Sequence, residues 1–242
     1  MTLILVQVIL QSISSTLQWV GFYVGIRTLP RDESRRRLWI ITSAIVFGAW
    51  LFAIVLQASQ NVLLNDVRPR RIPLTLIATL AIGYLFLLSQ TFRGIIASIP
   101  QHWLIGIQTF RILGGVFLIR YFQGQMLDVV AIPAGVGDVL TGILAPLVAY
   151  WWYAGKSYAR GAAIAWNLFG MADLVNAFAL GALTGGGGGG IVFPTVIIPV
   201  YGVPRALLTH SYSLIGLLRN TSRRPKRTES PQYGLEAPIV SP

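Results

Sequence analysis

Arg111, Asp138, Asp173 and His210 each interrupt a run of apolar residues long enough to cross a lipid bilayer. An ionisable side chain at the centre of a spanning helix costs about 2.5–3.5 kcal/mol, so it needs a partner or a function. Counted at about 1.5 Å per residue from the inner boundary, Arg111 comes out roughly 14 Å deep, Asp173 roughly 18 Å, His210 roughly 12 Å, Arg205 roughly 20 Å and Asp138 roughly 22 Å. Four helices therefore bring ionisable groups to the middle or outer half of one bilayer. Two cations and two carboxylates there can neutralise one another pairwise, hold an ion or small polar solute, or pass a proton.

Helical spacing supplies neighbours for each charge. Gln108 and Arg111 stand at i, i+3, with Gly114 and Gly115 on the next turn. Asp138 and Thr141 stand at i, i+3 beside Gly142, and Gly170, Asp173 and Asn176 form a third stripe. Asn167 lies about a third of a turn off that stripe. Each polar group has a glycine beside it, and small residues let helices approach closely enough for polar groups to bond across the interface. Arg205 and His210 are separated by about 140° on the last helix, so they serve different neighbours. The candidate ligand-binding or proton-handling set is thus Arg111, Asp138, Asp173, Asn176, Gln108, Thr141, Asn167 and His210.

No catalytic set stands beside it. The only histidines, His102 and His210, could in principle ligate haem from two helices. Their depths differ by most of a half-bilayer, which opposes that pairing. A zinc site needs three or four ligands, and the sequence offers none at suitable spacing. No cofactor or metal is implied.

The elements that position these residues follow from composition. Of 242 residues, 54 % are hydrophobic and 11 % charged, with a mean hydropathy of +0.65. Soluble domains carry roughly 25 % charged residues, so a soluble enzyme, a disordered chain and a coiled coil are excluded. The reading is an all-α, polytopic transmembrane bundle. Apolar runs at about 3–26, 38–58, 73–90, 102–121, 131–153, 161–183 and 201–218 give seven spans, with six the alternative because the third and seventh are short. The N-terminal run lacks a cationic start and a small-residue cleavage site and reads as a retained first helix. Its Gln7, Gln11, Ser12, Ser14, Ser15, Thr16 and Gln18 indicate that it packs against other helices.

Charge sets the orientation. The net charge is +11, carried by 19 Lys and Arg against 8 Asp and Glu, and the cations lie in short loops and a tail. That placement favours the positive-inside rule and anionic lipid headgroups over nucleic acid. With seven spans, segments 27–37, 91–101 and 154–160 and the tail share one side and 13 cations, while Arg68, Arg70, Arg71 and Arg120 leave four on the other. The N-terminus is then outside and the C-terminus cytoplasmic, and the protein is a multi-pass protein of the cytoplasmic (inner) membrane. Residues 1–218 form the helical domain, and 219–242 form a basic, proline-containing cytoplasmic tail that reads as disordered.

Two stretches break the helical pattern. Residues 185–190 are six glycines and read as a flexible outer loop. Pro133 with Gly135 and Gly137, and Pro194, Pro199, Gly202 and Pro204, point to broken helices, which a membrane tolerates where protein or a watery cavity covers the freed backbone. Trp19, Trp39, Trp103, Tyr121, Trp151 and Trp152 fall near helix ends, as interfacial aromatics do. There is no cysteine and hence no disulfide or thiol chemistry.

The stretch from about 102 to 218 resembles a family of small bacterial integral-membrane proteins of uncharacterised function. The resemblance rests on Phe110, Arg111, Ile112, Leu113, Gly114 and Gly115, on Pro133, Ala134, Gly135, Val136, Gly137 and Asp138, on Trp166, Asn167, Gly170 and Asp173, and on Ile198, Pro199, Pro204 and His210. It implies a multi-helix membrane protein and no particular activity.

Three functional expectations follow. The first is binding or translocation of a small polar solute or ion among the last four helices, with Arg111 neutralising an acidic group or holding an anion and Asp138 or Asp173 as the protonatable member. The second is a non-catalytic partner or assembly protein in which the Arg–Asp lattice is structural. The third is a membrane enzyme or haem carrier using His210.

Overall fold

The structure, a computed structural model, describes residues 2–29, 32–60, 71–185, 193 and 195–219. Arg68, Arg70, most of the glycine run, Pro194 and the basic tail from 220 onward lie outside the described residues, as does the side chain of Gln7. Every regular element among the described residues is helical: α1 Thr2–Thr28, α2 Glu33–Ser59, α3 Arg71–Phe86, α4 Gln90–Ser98, α5 Gln101–Gly106, a 3₁₀ helix Ile107–Gly114, α6 Gly115–Phe122, α7 Asp128–Tyr153, α8 Ala159–Leu183, a π-helical turn Ile198–Gly202 and α9 Val203–Arg219.

Four helical stretches are long and apolar enough to cross a membrane: Glu33–Ser59, Gln101–Phe122, Asp128–Tyr153 and Ala159–Leu183. The α3–α4 pair supplies a fifth if it is counted as one span, but it is bent by 93°. The apolar residues that would face water in a soluble protein, such as Ile41, Ile45, Phe52, Leu85 and Leu147, are exposed here. Helix α2 carries this furthest, with 11 % of its central window buried inside the protein. A helix apolar all round and buried on so little of its surface has its remaining faces suited to lipid.

α7 is the hub. It packs against α8, α5, the 3₁₀ helix and α6. Helix α9 packs against α8, α3 and α5, and α1 packs against α2, α4 and the 3₁₀ helix. α3 meets α9 at Gly83, whose carbonyl accepts the Tyr212 hydroxyl at 2.8 Å while Leu208 fills the space a side chain would take. α1 meets α4 at Gly25, where an added Cβ would lie 2.6 Å from the Ile95 carbonyl oxygen.

Several sequence expectations are corrected. Segment 91–101 is not a simple loop, because α4 occupies most of it and turns Ile95 into a cluster with Phe22, Ile26 and Leu104. Arg35, Arg36 and Arg37 belong to the first turns of α2 rather than to a loop. α7 is not broken at Pro133: the helix runs from Asp128 to Tyr153 through both Pro133 and Pro146, each of which takes one N–H out of the intrahelical ladder. The span at 101–122 is wound tightly over Ile107–Gly114, which apolar periodicity does not reveal. The segment around Pro199 is irregular as expected, and Val196, Ile197, Val200 and Tyr201 are fully buried in protein. That cover is what an irregular backbone needs at this depth.

Candidate functional site

Arg111 owes its position to the 3₁₀ winding. At three residues per turn, side chains at i and i+3 eclipse. Gln108, Arg111 and Gly114 therefore lie along one edge, and these are the residues that the segment buries. An α-helix would offset each successive member by about 60°, spreading Gln108 to Gly114 over about 120°.

The Arg111 guanidinium is 2 % exposed and uses all five of its N–H groups. Nε donates to Asp138 Oδ1 at 2.6 Å, and Nη2 donates to the same oxygen at 2.6 Å and to Asp173 Oδ2 at 2.5 Å. Nη1 donates to the Gly170 carbonyl at 3.0 Å and to His210 Nε2 at 3.2 Å. Because an arginine offers only donors, His210 Nε2 must present its lone pair. His210 Nδ1 then carries the proton and donates to Asn167 Oδ1 at 2.9 Å. The Asn167 amide nitrogen donates to the Ala163 carbonyl at 2.7 Å and to Ser213 Oγ at 3.0 Å. Gln101 closes the chain by donating to Ser213 Oγ at 2.6 Å. Trp166 lies against the imidazole, with ring centroids 4.9 Å apart.

Glycines open the space for this network, each for a polar group of another helix. A Cβ on Gly114 would collide with the Asp138 carboxylate, and one on Gly137 with the Asp173 carboxylate. At Gly170 it would lie 2.6 Å from His210 and 2.9 Å from Arg111 Nη1. At Gly142 it would lie 2.6 Å from the Ile112 backbone nitrogen, which fixes how closely the 3₁₀ segment approaches α7.

The structure thus brings Arg111, Asp138, Asp173, Asn167 and His210 into one network. Gln108 is fully buried but donates elsewhere, to the Ala206 carbonyl at 3.0 Å, and its Oε1 has no partner among the described residues. Thr141 is also fully buried; its carbonyl accepts from Trp166 Nε1 at 3.1 Å, while its hydroxyl has no partner among the described residues. Asn176 is exposed and stands outside the network, one turn past Asp173 on a face that α8 does not bury.

Pairwise neutralisation is the expectation that fails. Both carboxylates converge on Arg111, and Arg205 has no carboxylate partner among the described residues. Arg205 is 3 % exposed. Its Nη2 donates to Ser14 Oγ and, at 3.4 Å, to Gln11 Oε1. Its guanidinium carbon lies 4.5 Å from the Phe110 ring centroid and 4.6 Å from that of Tyr201. Tyr201 shares a hydrogen bond with Ser15. The sequence signal for this second cluster was the polar face of α1, which marks a packed helix without saying which charge it meets. Between the two clusters lies a cavity of about 10 Å³, room for roughly one water molecule, lined by Arg111 and Asp138 on one side and Gln11 and Gly202 on the other.

Residues 72–218 match a family model described as a domain of unknown function, DUF8737. The chain belongs to that family. Searches of curated proteins and of solved structures found no match. The DUF8737 region takes in the whole Arg111 network and Arg205, whereas Gln11, Ser14 and Ser15 on α1 lie outside it. The second cluster is therefore assembled by α1 docking onto the DUF8737 domain.

Proposed function

We propose that this DUF8737 protein is a multi-pass protein of the cytoplasmic membrane, with seven spans, N-terminus out and C-terminus in, that binds or moves a small ion through its buried polar core. Its basic cytoplasmic segments would rest against anionic headgroups. One observation carries the ionic reading: two carboxylates share one guanidinium that has no donor left. Fully ionised, the cluster holds one negative charge too many in a medium where an uncompensated charge costs several kcal/mol. The charge that restores balance is a mobile one, and a proton is the species that fits a cavity of about one water.

The roles differ from those expected. Arg111 is a fixed counter-charge and has no donor free for an anionic ligand. Asp138 is the fixed acceptor, since one of its oxygens takes two Arg111 donors. Asp173, held by a single bond and only partly buried, is the proton carrier. Proton uptake by the purified protein in mild detergent tests this. On acidification the wild type should take up one more proton per chain than Asp173→Asn, and equal uptake would refute the reading.

The assembly-protein reading has its own support in the saturation of Arg111, since a network with every donor satisfied also fixes helix register. It expects Asp173→Asn to lower the melting temperature with no change in proton uptake. The haem reading loses support because both His210 nitrogens are already bonded.

A further inference from the structure

The connection between α1 and α2 is a second place where charge is out of balance. Residues 27–37 carry five arginines against Asp32 and Glu33. Three of the arginines converge on Glu33. Arg36 Nη1 donates to Oε2 at 2.7 Å, whereas Arg27 Nη1 and Arg37 Nε stand 3.8 and 3.7 Å from the other oxygen, Oε1. Those two contacts are too long for hydrogen bonds, so both guanidiniums keep their donors to give. Facing one oxygen also holds the two nitrogens no more than 7.5 Å apart. A single phosphate group, offering one oxygen to each, bridges such a gap. The side chains of Arg27 and Arg37 are 50 % and 74 % exposed, so a ligand reaches them from outside the protein.

The depth of this pair is that of a lipid headgroup. The apolar run of α2 occupies 38–58 and reaches about 31 Å at the helical rise, which matches a hydrocarbon core of about 30 Å. Arg37 therefore stands one residue outside the hydrocarbon, and Trp39, packed against the cluster of Phe22, Ile26 and Ile95, marks the same boundary. Below Arg37, the residues Ile41, Ile45, Gly48 and Phe52 fall within about 80° of it around the helix. All four are exposed, and at Gly48 nothing lies within 4 Å of where a Cβ would be. An apolar lane thus runs from the paired cations toward the middle of the bilayer, and none of the described residues covers it.

We propose that Arg27 and Arg37 hold the phosphate of an anionic phospholipid whose acyl chain lies along α2 over Ile41, Ile45 and Gly48. Charge complementarity selects the lipid. Five arginines against two carboxylates leave three positive charges on this segment, and a zwitterionic headgroup would bring a further cation beside them. The site rests on the membrane reading above, and it turns a general attraction to headgroups into one place on the α1–α2 hairpin. That hairpin lies outside the matched DUF8737 region. The proton carrier plays no part in it.

The test is thermal melting of the full chain in mild-detergent micelles while added phosphatidylcholine is replaced by phosphatidylglycerol. A ligand that binds only the folded state stabilises it by an amount that grows with concentration over Kd. The wild type should gain a few degrees along a saturating curve, and Arg27→Gln with Arg37→Gln should move its midpoint to about tenfold more phosphatidylglycerol. Arg36 stays on Glu33 in that variant, and melting in phosphatidylcholine alone shows whether it folds. If it does not, Arg37→Gln alone replaces it and should shift the midpoint the same way by less. Lys156→Gln with Arg160→Gln removes two exposed charges from the α7–α8 connection and should keep the wild-type midpoint. An equal shift in that control means diffuse attraction, which overturns the site and leaves the membrane reading standing. A flat wild-type curve overturns the site together with the headgroup attraction. Glycerol phosphate carries the charge without the acyl chain and should not stabilise the protein. Stabilisation by it equal to that by phosphatidylglycerol would make this a site for free phosphate and overturn the lipid.

Discussion

At the scale of single residues, the network around Arg111 is decided by donor counting. Five N–H groups meet two carboxylates, one carbonyl and one imidazole nitrogen, and none is left over. That count fixes His210 as the tautomer protonated on Nδ1, because only then do Arg111 and Asn167 each find a complementary partner. Nitrogen-15 spectra of histidine-labelled protein should show one imidazole, His210, with a protonated Nδ1 and a bare Nε2 near neutral pH. In Asn167→Leu, that preference should weaken. An Nε2–H signal for His210 in the wild type would mean that Arg111 Nη1 points elsewhere. The residue types of this network were legible in the sequence, since ionisable groups in apolar helices announce themselves by their cost. The partners were not. Nothing in the sequence says that Asp138 and Asp173 share one arginine, or that the Gly170 backbone supplies an acceptor, because those facts depend on how four helices rotate against one another.

At the scale of elements, glycine marks where helices touch, and the touching is between chains of different helices rather than along one. Gly137 beside Asp138 makes room for Asp173 of α8, and Gly114 beside Arg111 makes room for Asp138 of α7. The pattern of a glycine next to each polar residue was visible in the sequence, and its meaning was only half visible. Gly137→Ala should therefore melt lower than wild type by an amount equivalent to about 1–3 kcal/mol, the usual cost of overfilling a packed site. Gly25→Ala should do likewise, because the atom it meets is the Ile95 backbone carbonyl, which cannot swing aside. Gly48→Ala on α2 meets nothing within 4 Å and should be neutral or stabilising by up to about 1 kcal/mol through helix propensity. Melting curves of the three variants in one detergent check this together, and a Gly48→Ala loss as large as that of Gly137→Ala would mean that α2 is covered by something other than lipid. The 3₁₀ segment is the element least available to sequence reading. Apolar periodicity distinguishes 3.6 from 2.0 residues per turn well, but over eight residues it barely distinguishes 3.6 from 3.0.

At the scale of the whole molecule, topology follows from charge and from which helices can cross. Four helices have the length and composition to span, and the bent α3–α4 pair adds a fifth candidate. α1, rich in polar residues, and α9, 17 residues long and entered through a π-helical turn, are the spans that length and hydropathy leave unsettled. Their polar residues are used inside the protein: α1 supplies Gln11 and Ser14 to Arg205, and α9 supplies His210 and Ser213 to the Arg111 network. A helix whose polar groups are satisfied by neighbours can lie at membrane depth with a hydropathy too low to signal it. α9 can therefore cross with the others, as the proposed seven-span, N-out arrangement requires. Because the chain has no cysteine, single cysteines report sidedness directly. Intact right-side-out cells treated with a membrane-impermeant maleimide should be labelled at Gln123→Cys and unlabelled at Ser34→Cys and Ser157→Cys until the membrane is opened. Ser222→Cys tests the last crossing. Protection of that position together with Ser157 places both ends of the α8–α9 pair on the same side and requires α9 to span. Labelling of Ser222→Cys in intact cells while Ser157→Cys stays protected would make α9 a helix that enters and returns, and would reduce the count to six.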